Sequence, residues 1–492
     1  MSKKLQHAET QLFVGGEARP AQDGATYPVV DPATEEQIGI AADGGPSDME
    51  AAIHAARTAF DDTEWATDPG LRAHVLRQLG DGLAKVADEF RPTFVRETGI
   101  PLGLTPALLD GAIGTLGYWA DMAESFDYEQ ELPIANIMGT SHRRYIWREP
   151  VGVVGVITPW NSPFQLSLMK LGPVLAAGNT TVLKPAPDTP WSGAIIGKIA
   201  AEATDMPAGV LNVVTSAGNE IGDVLTGHED VDGITFTGST VVGRHVAARA
   251  AQTIKRVTLE LGGKSANIVL DGADVTALAQ EAAGRVCWRA GQGCALITRL
   301  IVPRHRQAEI ADALASVMQS FPNGGPFEEH SFIGPLINQR QYERVLDYIK
   351  SGIDEGATLV TGGGRQPDAA KGYFVQPTLF TDVERHMTIN REEIFGPVLC
   401  VLPYDTVDEA IDLANDTIFG LSASVTGPDE AEAMMIARKL RSGTVAVNGG
   451  VWFGVDSPFG GYKQSGVGRE NGPWGFEEFL ECKVVAVPTA SV

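Results

Sequence analysis

Hydrophobic and polar positions recur along the chain with two different periods, which predict an alternation of helices and strands. Apolar residues follow helical spacing in "DMEAAIHAARTAFDD" (48–62) and in "GLRAHVLRQLGDGLAKVADEF" (70–90), which predicts two amphipathic helices. The segment "VGVVGVITPWN" (151–161) is continuously apolar before it turns polar. This pattern predicts a buried strand that runs into a loop.

Beyond residue 151, short apolar segments alternate with segments of helical length. Helices are predicted at 170–179 and 190–203, and strands at 180–186, 209–215 and 233–239. A second alternating block runs from about 264 to 450 and follows the same pattern. Strands separated by helices of this length indicate βαβ units, so the predicted fold class is α/β with parallel sheets. The boundary between the two blocks is predicted near "LELGGKS".

Length and composition narrow the class of protein. A chain of 492 residues is too long for one compact core, which predicts two or three domains. Hydrophobic residues make up 43% and charged residues 20%, as in ordinary soluble globular proteins. The formal net charge of −24 argues against nucleic acid and anionic membrane surfaces as partners.

The four cysteines argue for a reducing compartment. Cys287, Cys294, Cys400 and Cys482 form no Cys-x-x-Cys pair, and their spacing suits neither a metal site nor a disulfide framework. The N-terminal segment lacks an apolar core of signal-peptide length, and the apolar run 151–157 is too short to span a bilayer. The sequence therefore predicts a cytoplasmic protein without a metal, in which a chemically special cysteine is a nucleophile.

Cys294 has unusual neighbours. In "AGQGCALITR" it follows Gly291, Gln292 and Gly293, which provide too little side chain to pack a structural cysteine well. A buried structural cysteine normally lies among bulky apolar residues. The backbone here can instead come close to another molecule.

A glycine-rich turn, "FTGSTVVG" (236–243), follows a predicted strand and opens a predicted helix. Backbone amides and the helix dipole at such a turn can hold a pyrophosphate. The spacing from Gly238 to Gly243 departs from the usual dinucleotide fingerprint, and a plain turn capped by Ser239 or Thr240 would have the same sequence. The turn alone leaves both interpretations open.

Other polar residues stand at predicted strand ends and in loops, where sites are usually assembled. Glu260 lies in "LELGGKS", 34 residues before Cys294, and Asn161 lies in "PWNSP". Acidic residues precede a Gly-Pro turn in "REEIFGPV" (391–398), and "PFGGYKQSGVGRE" (458–470) is another glycine-dense loop.

Together these segments resemble the aldehyde dehydrogenase superfamily from "DPATEE" (31–36) to "GFEEFLE" (475–481), and "LELGGKS", "GQGC" and "EEIFGPV" are the most specific motifs. The resemblance implies two Rossmann-like open parallel-sheet domains and a small β oligomerisation element. It assigns residues 1–127 and 151–262 to an NAD(P)-binding domain, 263–464 to a catalytic domain, and 128–150 with 465–492 to the oligomerisation hairpin and C-terminal strand.

The resemblance implies three catalytic roles. Cys294 is the nucleophile that attacks the aldehyde carbon. Asn161, with the backbone N–H of Cys294, stabilises the resulting oxyanion, and Glu260 is the base that deprotonates water to hydrolyse the thioester. The residues alone also allow an inert cysteine, a turn-forming asparagine and a surface glutamate at these positions. The interpretation as an inert core cysteine suits Cys287, Cys400 and Cys482 better.

The resemblance also implies a cofactor site. Lys184 would bond the adenosine ribose, and Glu393 the nicotinamide ribose, with Phe395 against the ring. The adenosine and pyrophosphate side would be lined by Trp160, Gly218, Phe236, Gly238, Ser239 and Gly243. NAD-preferring members often carry a glutamate three residues after the lysine, whereas this chain has Pro187. NAD is the predicted cofactor, and NADP stays open.

The substrate channel implied by the resemblance is apolar and aromatic. Its walls would be Ser162, Leu166, Met169, Trp288, Trp452, Phe453 and Phe459. These residues suit a hydrophobic aldehyde, although each of them would also suit a core. Arg289 is unusual for the family pattern, and two interpretations stay open: it points away from the channel, or it favours an acidic substrate.

The C-terminal segment "ECKVVAVP" (481–488) predicts a strand whose edge needs cover. The resemblance implies that it joins the hairpin of a neighbouring subunit, near residues 141–152, in a homodimer or homotetramer. Three hypotheses of function follow: a hydrolytic NAD(P)-dependent aldehyde dehydrogenase, a coenzyme-A-acylating relative, and a non-catalytic structural or binding relative. Glu260 opposes the second, and the joint presence of Cys294, Glu260 and Asn161 opposes the third.

Overall fold

The computed structural model of the protein describes residues 7–489. Residues 1–6, at the start of the predicted NAD(P)-binding domain, and 490–492, at the end of the predicted oligomerisation element, lie outside the described residues. The strands are β1 (His7–Glu9), β2 (Leu12–Val14), β3 (Glu17–Arg19), β4 (Thr26–Asp31), β5 (Glu36–Ala42), β6 (Glu129–Ile137), β7 (Thr140–Pro150), β8 (Val153–Ile157), β9 (Thr180–Lys184), β10 (Leu211–Val213), β11 (Gly233–Thr237), β12 (Arg256–Glu260), β13 (Ser265–Val269), β14 (Ile297–Pro303), β15 (Thr358–Thr361), β16 (Thr378–Thr381), β17 (Val398–Tyr404), β18 (Ser422–Thr426), β19 (Thr444–Val447), β20 (Gly466–Val467) and β21 (Leu480–Pro488).

Helices connect most of these strands. They are α1 (Pro46–Asp62), α2 (Pro69–Thr98), α3 (Gly111–Ser125), α4 (Pro163–Ala176), α5 (Pro190–Ala203), α6 (Glu220–Gly227), α7 (Thr240–Ala250), α8 (Val275–Cys287), α9 (Gln307–Ser320), α10 (Gln339–Asp354), α11 (Thr388–Arg391), α12 (Val407–Asn415), α13 (Glu430–Ala437) and α14 (Gly472–Glu477).

Two large open sheets dominate the fold. The first has eight strands in the order β20-β12-β11-β8-β9-β10-β2-β3, and its central strands β12 to β10 are parallel. The second has seven strands in the order β15-β16-β17-β14-β13-β18-β19, and all except β15 run parallel. Two open parallel sheets with helices between their strands confirm the predicted α/β class. The domain bounds stay a prediction, and β20, predicted with the oligomerisation element, pairs with β12 of the first sheet.

The central strands are buried on both faces, which explains their continuous apolar runs. Every residue of β9 and β11 is buried. Helix α5 has the bounds that the sequence predicts. Helix α2 continues past the predicted end at residue 90, through Pro92, because its last turns bury Phe94 and Val95 before Gly99 ends it in the left-handed conformation. Helix α4 begins at Pro163, well before the predicted start at residue 170.

The C-terminal strand corrects one prediction. β21 pairs antiparallel with β7 of its own chain, from Leu480 opposite Pro150 to Pro488 opposite His142, whereas the prediction placed it on the hairpin of a neighbouring subunit. The backbone N–H of Val151 donates to the carbonyl of Phe479, at 3.2 Å, so β21 starts beside the end of its own hairpin. Pairing there requires no second chain. β6 and β21 are the two edges of this three-stranded sheet.

Within residues 7–489, no helix combines the length and the apolar character that crossing a membrane requires.

Candidate active site

The carboxyl ends of the first sheet's central strands collect the polar residues that the sequence analysis singled out. Lys184 ends β9 and Glu260 ends β12. Asn161 follows β8, and Gly238 follows β11. β8 and β11 are neighbours whose connecting chains leave in opposite directions, the kind of switch point where open α/β sheets form a crevice. The backbone N–H of Gly238 donates to the carbonyl of Glu260 at 3.0 Å, which ties the glycine turn to that strand end.

Cys294 lies in the loop that precedes β14, against the link between the two sheets. Its backbone carbonyl packs on Gly263, where an added Cβ would stand 2.4 Å from that oxygen. Its side chain keeps some contact with solvent but packs beside the apolar cluster of Met169, Leu421 and Phe459. Gly263 follows Glu260, the last residue of β12, by three positions. The contact with Gly263 therefore places the predicted nucleophile close to the strand end that carries Glu260.

The Cys294 thiol is protonated at rest. Burial raises its pKa to about 12, the negative charges of Glu260 and Glu393 act in the same direction, and Arg289 opposes them. A thiol in this state attacks a carbonyl only if a base removes its proton. The surroundings of the cysteine therefore disfavour its thiolate form.

Asn161 is buried, and hydrogen bonds fix it to the cysteine loop. Its Nδ2 donates to the carbonyl of Gln292 at 3.1 Å, which leaves a second N–H on the same nitrogen. Gln292 is itself anchored, because its Oε1 accepts from Ile337 N at 3.0 Å and its Nε2 donates to Pro335 O at 3.2 Å. The structure thus brings Asn161 next to the segment that carries Cys294.

Glu260 is buried, which excludes the alternative of a surface glutamate. Its side chain is 3% exposed, and its Oε2 has no hydrogen-bond partner among the described residues. Burial, together with the charge of Glu470, raises its pKa well above the ordinary value, while Lys170 and Arg469 oppose that rise. A buried carboxylate with a raised pKa is a suitable proton acceptor near neutral pH.

Lys170 and Glu470 form a buried ion pair beside this carboxylate, and the sequence analysis missed both. Lys170 Nζ bonds Glu470 Oε1 and donates to Thr235 Oγ1 at 2.9 Å. A signal was present, because Lys170 is a single charge inside the apolar helix segment "LSLMKLGPVLAA". A charge at such a position is normally paired, and its partner is 300 residues away in the chain.

Lys184 fits a ligand that brings hydrogen-bond acceptors. It is 4% exposed, and among the described residues its ammonium has no hydrogen bond or ion pair. Burial lowers its pKa to about 8. An ammonium on a largely buried side chain gains from hydrogen-bond acceptors, and the hydroxyls of a ribose would supply them.

Glu393 stands at the same link between the sheets as Cys294. Its Oε1 accepts the backbone N–H of Gly263 at 2.8 Å, and burial raises its pKa to about 7. Phe395, two residues further on, has a left-handed backbone with φ 61° and faces the Trp160 ring edge-on at 5.3 Å. Glu393 and Phe395 thus lie beside the nucleophile loop, as expected for residues that hold the reactive end of a cofactor.

The glycine turn owes both its glycines to close packing. An added Cβ on Gly238 would stand 2.4 Å from the Phe236 ring, and one on Gly243 would stand 2.4 Å from Leu261. Ser239 caps α7 by accepting the N–H of Val242 at 3.3 Å. Phe236 is buried in the hydrophobic core, so its backbone rather than its ring is available to a ligand.

Gly218 lies in an exposed bend before α6, where its N–H donates to Ser216 Oγ at 3.2 Å. Nothing in its own contacts marks it as a ligand residue, and its assignment to the cofactor stays a prediction.

The predicted channel residues fall into connected groups. Met169 and Phe459 form an apolar cluster with Leu421, against which Leu166, Trp452 and Cys294 pack. Trp452 stacks on Phe459 with ring centroids 5.6 Å apart, and Phe453 meets both rings edge-on. The sequence analysis missed Leu421, which lies far from the recognised motifs.

Ser162 and Trp288 lie on the Arg289 side of the same region. The guanidinium of Arg289 lies 4.0 Å from the Trp288 ring centroid, and its Nη1 donates to Ser162 Oγ. Arg289 therefore points toward residues predicted to line the channel.

Cys482 corrects a further expectation. The sequence predicts an inert core cysteine here, but the Cys482 side chain is exposed, because successive residues of the edge strand β21 lie on a surface sheet. Cys287 and Cys400 are buried as expected. In the part of the chain that the structure describes, no group of three or more His, Cys, Asp or Glu side chains is arranged to hold a metal ion.

Comparison with known proteins agrees with this geometry. The aldehyde dehydrogenase family model matches residues 19–485. The chain is 39% identical over 485 residues to the chloroplastic betaine aldehyde dehydrogenase of Amaranthus hypochondriacus, covering 98% of this chain and 96% of that protein. It is also 39% identical over 480 residues to a 3-succinoylsemialdehyde-pyridine dehydrogenase of a Pseudomonas species, covering 96% of this chain and 98% of the other.

Among solved structures, an aldehyde dehydrogenase of Mycobacterium tuberculosis complexed with NAD⁺ superimposes with a TM-score of 0.94 at 41% identity, covering 99% of each chain. The resemblance drawn from "LELGGKS", "GQGC" and "EEIFGPV" is thus confirmed over nearly the whole length. The chain belongs to the aldehyde dehydrogenase family.

Proposed function

We propose that this protein oxidises an aldehyde to the carboxylic acid with NAD⁺, through a covalent intermediate on Cys294 that water hydrolyses. The observation that carries the proposal is the meeting of three groups. These are the crowded thiol of Cys294, the amide of Asn161, which is bonded to the cysteine loop, and the buried carboxylate of Glu260, whose pKa is raised. All three lie around the link between the two sheets. Together they provide a nucleophile, an oxyanion donor and a base.

The first step is attack of the Cys294 sulfur on the aldehyde carbon. The thiol passes its proton to a water molecule as the C–S bond forms, and the carbonyl oxygen becomes an oxyanion in a tetrahedral thiohemiacetal. The free N–H of Asn161 Nδ2 and the backbone N–H of Cys294 donate to that oxyanion. One such donor typically lowers the barrier by about 3 kcal/mol.

The second step releases the acid. Once hydride has left the thiohemiacetal, a thioester joins the acyl group to Cys294. Glu260 removes a proton from water, the resulting hydroxide attacks the thioester carbon, and the C–S bond breaks to return the thiol. The buried setting of Glu260 suits this role, because its raised pKa strengthens it as a base.

The residues present fit NAD⁺. Lys184, buried and without a partner in the described structure, would bond the adenosine ribose, and Glu393 with Phe395 would hold the nicotinamide end. When bound, NAD⁺ accepts the hydride that the thiohemiacetal releases. The known structure of the Mycobacterium tuberculosis relative, complexed with NAD⁺, supports this choice of cofactor. The turn 236–243 would support the pyrophosphate through the N-terminus of α7.

The substrate proposed is an aldehyde with an apolar body. The stacked rings of Trp452 and Phe459, with Met169 and Leu166 beside them, form an apolar wall next to Cys294. Such a wall favours hydrocarbon over water.

A turnover assay with purified protein tests the proposal. Aldehyde and NAD⁺ without coenzyme A are expected to yield reduced cofactor and free carboxylic acid in equal amounts, measured by absorbance and by chromatography. Formation of an acyl-coenzyme A with strict dependence on coenzyme A would favour the acylating alternative instead. No reduction of cofactor with any member of an aliphatic, aromatic and semialdehyde panel would favour the non-catalytic alternative.

We further propose a cytoplasmic homo-oligomer with the domain division given above. All four cysteines are free, as expected in a reducing compartment. The three-stranded sheet ends in the unpaired edge strand β6, which carries exposed Ile134 and Ile137, and such an edge calls for cover by another subunit. Light scattering on the purified protein measures the number of subunits, and a monomer would contradict the proposal.

A further inference from the structure

Three arginines with nearly complete burial, Arg72, Arg289 and Arg299, use their guanidinium groups in different ways. In Arg299, each of the three nitrogens donates to a backbone carbonyl at 2.9 Å. Arg72 likewise uses all three nitrogens, toward backbone carbonyls and a tyrosine hydroxyl. These two arginines are fully occupied structural groups.

Arg289 is not fully occupied. It is 5% exposed, and all the hydrogen bonds found for it among the described residues leave from Nη1, to Asn161 O at 2.7 Å and to Ser162 Oγ. Its Nε is buried without a partner. No carboxylate of the described chain forms an ion pair with it, although a buried guanidinium without a counter-charge is costly. The donors left over on one planar group are those with which arginine binds a carboxylate.

The contacts of Arg289 place its guanidinium in the active-site region. Its acceptors are the proposed oxyanion residue and its neighbour, and its guanidinium covers the Trp288 ring at 4.0 Å. Arg289 also lies close enough to Cys294 for the charge of its guanidinium to lower the pKa of the thiol. A cation already occupies one face of this tryptophan, so that face is not available to an ammonium group of a substrate, and the charge of Arg289 repels such a group nearby.

The backbone at Arg289 supplies an independent sign of function. Arg289, Ala290 and Gly291 are successive left-handed residues, with φ of 50°, 54° and 71°. Two of the three carry a Cβ, and such strain persists where the surrounding structure holds it, most often at active sites and ligand clamps. The side chain leaves this turn toward Asn161 and Ser162.

We propose that Arg289 is a specificity-determining residue that receives a carboxylate carried by the aldehyde substrate and disfavours aldehydes with an ammonium group. The proposal rests on the aldehyde oxidation proposed above and names the class of substrate: an apolar chain with an anionic group. Of the two interpretations that the sequence left open, the contacts with Ser162 and Trp288 favour the acidic substrate.

A panel of three aldehydes with one carbon skeleton tests this on the wild-type enzyme. The three are succinate semialdehyde, its neutral methyl ester, and the analogue in which a trimethylammonium group replaces the carboxylate. The expected order of kcat/KM is anion, then ester, then cation, with the anion favoured over the ester by about tenfold or more, as for a charge-assisted hydrogen bond. Equal values, or a preference for the cation, overturn the proposal.

Variants then assign the preference to Arg289. Arg289→Gln and Arg289→Met are expected to reduce the anion-to-ester ratio to near unity, and Arg289→Lys is expected to retain part of it. Arg77→Gln, which removes an exposed guanidinium elsewhere, is the matched control and should leave the ratio unchanged. An equal loss with all three aldehydes in the Arg289 variants would assign a purely structural role and overturn the proposal.

Two further measurements keep the outcome decisive. Thermal unfolding of each variant identifies those that fold, and if no Arg289 variant folds, competitive inhibition of the wild type by succinate and by its monomethyl ester replaces them. Tighter inhibition by succinate supports the proposal, and equal inhibition overturns it. Turnover with equal kcat/KM for the anion, the ester and the cation contradicts only the role of Arg289. The absence of turnover with any aldehyde contradicts the proposed function.

Discussion

The carbonyl oxygen of Cys294 rests on the Cα of Gly263, so closely that a Cβ on Gly263 would stand 2.4 Å from it. Gly263 also donates its N–H to Glu393 at 2.8 Å. The short link that joins the two sheets is therefore the support on which both the nucleophile and a proposed cofactor residue are placed. The addition of one methyl group at this link should therefore displace both Cys294 and Glu393.

Gly263→Ala is expected to lower kcat/KM by about a hundredfold, because displacement of a reacting atom by about 1 Å can cost that much. The crowding should also reduce the free energy of unfolding by about 1–3 kcal/mol. Steady-state kinetics and denaturant unfolding measure the two effects. Gly114→Ala is the control: it lies in α3 with open space around its Cα, and alanine there should be neutral or slightly stabilising. Full activity in Gly263→Ala would show that the contact does not position Cys294.

Cys294→Ala should abolish turnover and leave the thermal unfolding midpoint nearly unchanged, since alanine fits the crowded site. Alkylation requires a second change, because the exposed Cys482 is expected to react before the crowded Cys294, whose pKa is raised to about 12. In a Cys482→Ser background, loss of activity should follow modification of Cys294 in mass mapping. Inactivation without an adduct on Cys294 would contradict its role.

Glu260→Gln should slow release of the acid while leaving formation of the thioester intact. The expected trace is a rapid burst of reduced cofactor followed by a steady state about a hundredfold slower than in the wild type. Stopped-flow absorbance resolves the two phases. A missing burst would mean that Glu260 deprotonates the thiol rather than water, and an unchanged trace would remove it from the mechanism.

Glu470→Gln should shift the acid limb of the kcat–pH profile to lower pH. Glu260 is active as a carboxylate, so activity is present above its pKa and is lost as the pH falls through that value. Glu470 raises this pKa and Lys170 lowers it. Removing the Glu470 charge leaves Lys170 unopposed, and both effects lower the pKa of Glu260. Glu481→Gln, in an exposed pair with Arg256, is the control and should leave the profile in place. A shift to higher pH would contradict the assigned sign.

Pro187→Glu should depress the use of NADP by about tenfold or more and leave the use of NAD largely intact. A carboxylate three residues after Lys184 would repel a 2′-phosphate. Asp188, the next residue, is held by the side-chain N–H of Asn338, which donates to its Oδ1 at 2.9 Å. The ratio of kcat/KM for the two cofactors, before and after the change, is the measurement. A wild-type ratio in favour of NADP would show that the cofactor preference was assigned wrongly.

Local hydrophobic periodicity predicts many of the helices and strands of the fold. The bounds of α5 and the strand that ends in Glu260 follow from patterns within a few residues, and the motif around Cys294 indicated its chemistry without any tertiary information. Contacts between distant segments could not be read in the same way. The pairing of Lys170 with Glu470 joins residues 300 positions apart, and the exposure of Cys482 depends on which strand lies beside β21. Proposing a role for Arg289 required knowledge of its hydrogen bonds, because a sequence shows that the residue is charged but not which of its donors are occupied.

The late position of Glu470 and Ser465 in the chain has a consequence for synthesis and proteolysis. Ser465 donates to the carbonyl of Gly262 across 203 residues, and β20 forms the edge of a sheet whose other strands all lie before residue 261. A growing chain therefore contains its nucleophilic cysteine well before the segment that closes around Glu260 has been made. Fragments that stop short of this segment should be inert rather than weakly active, so enzymatic activity reports the integrity of the polypeptide as far as residue 470.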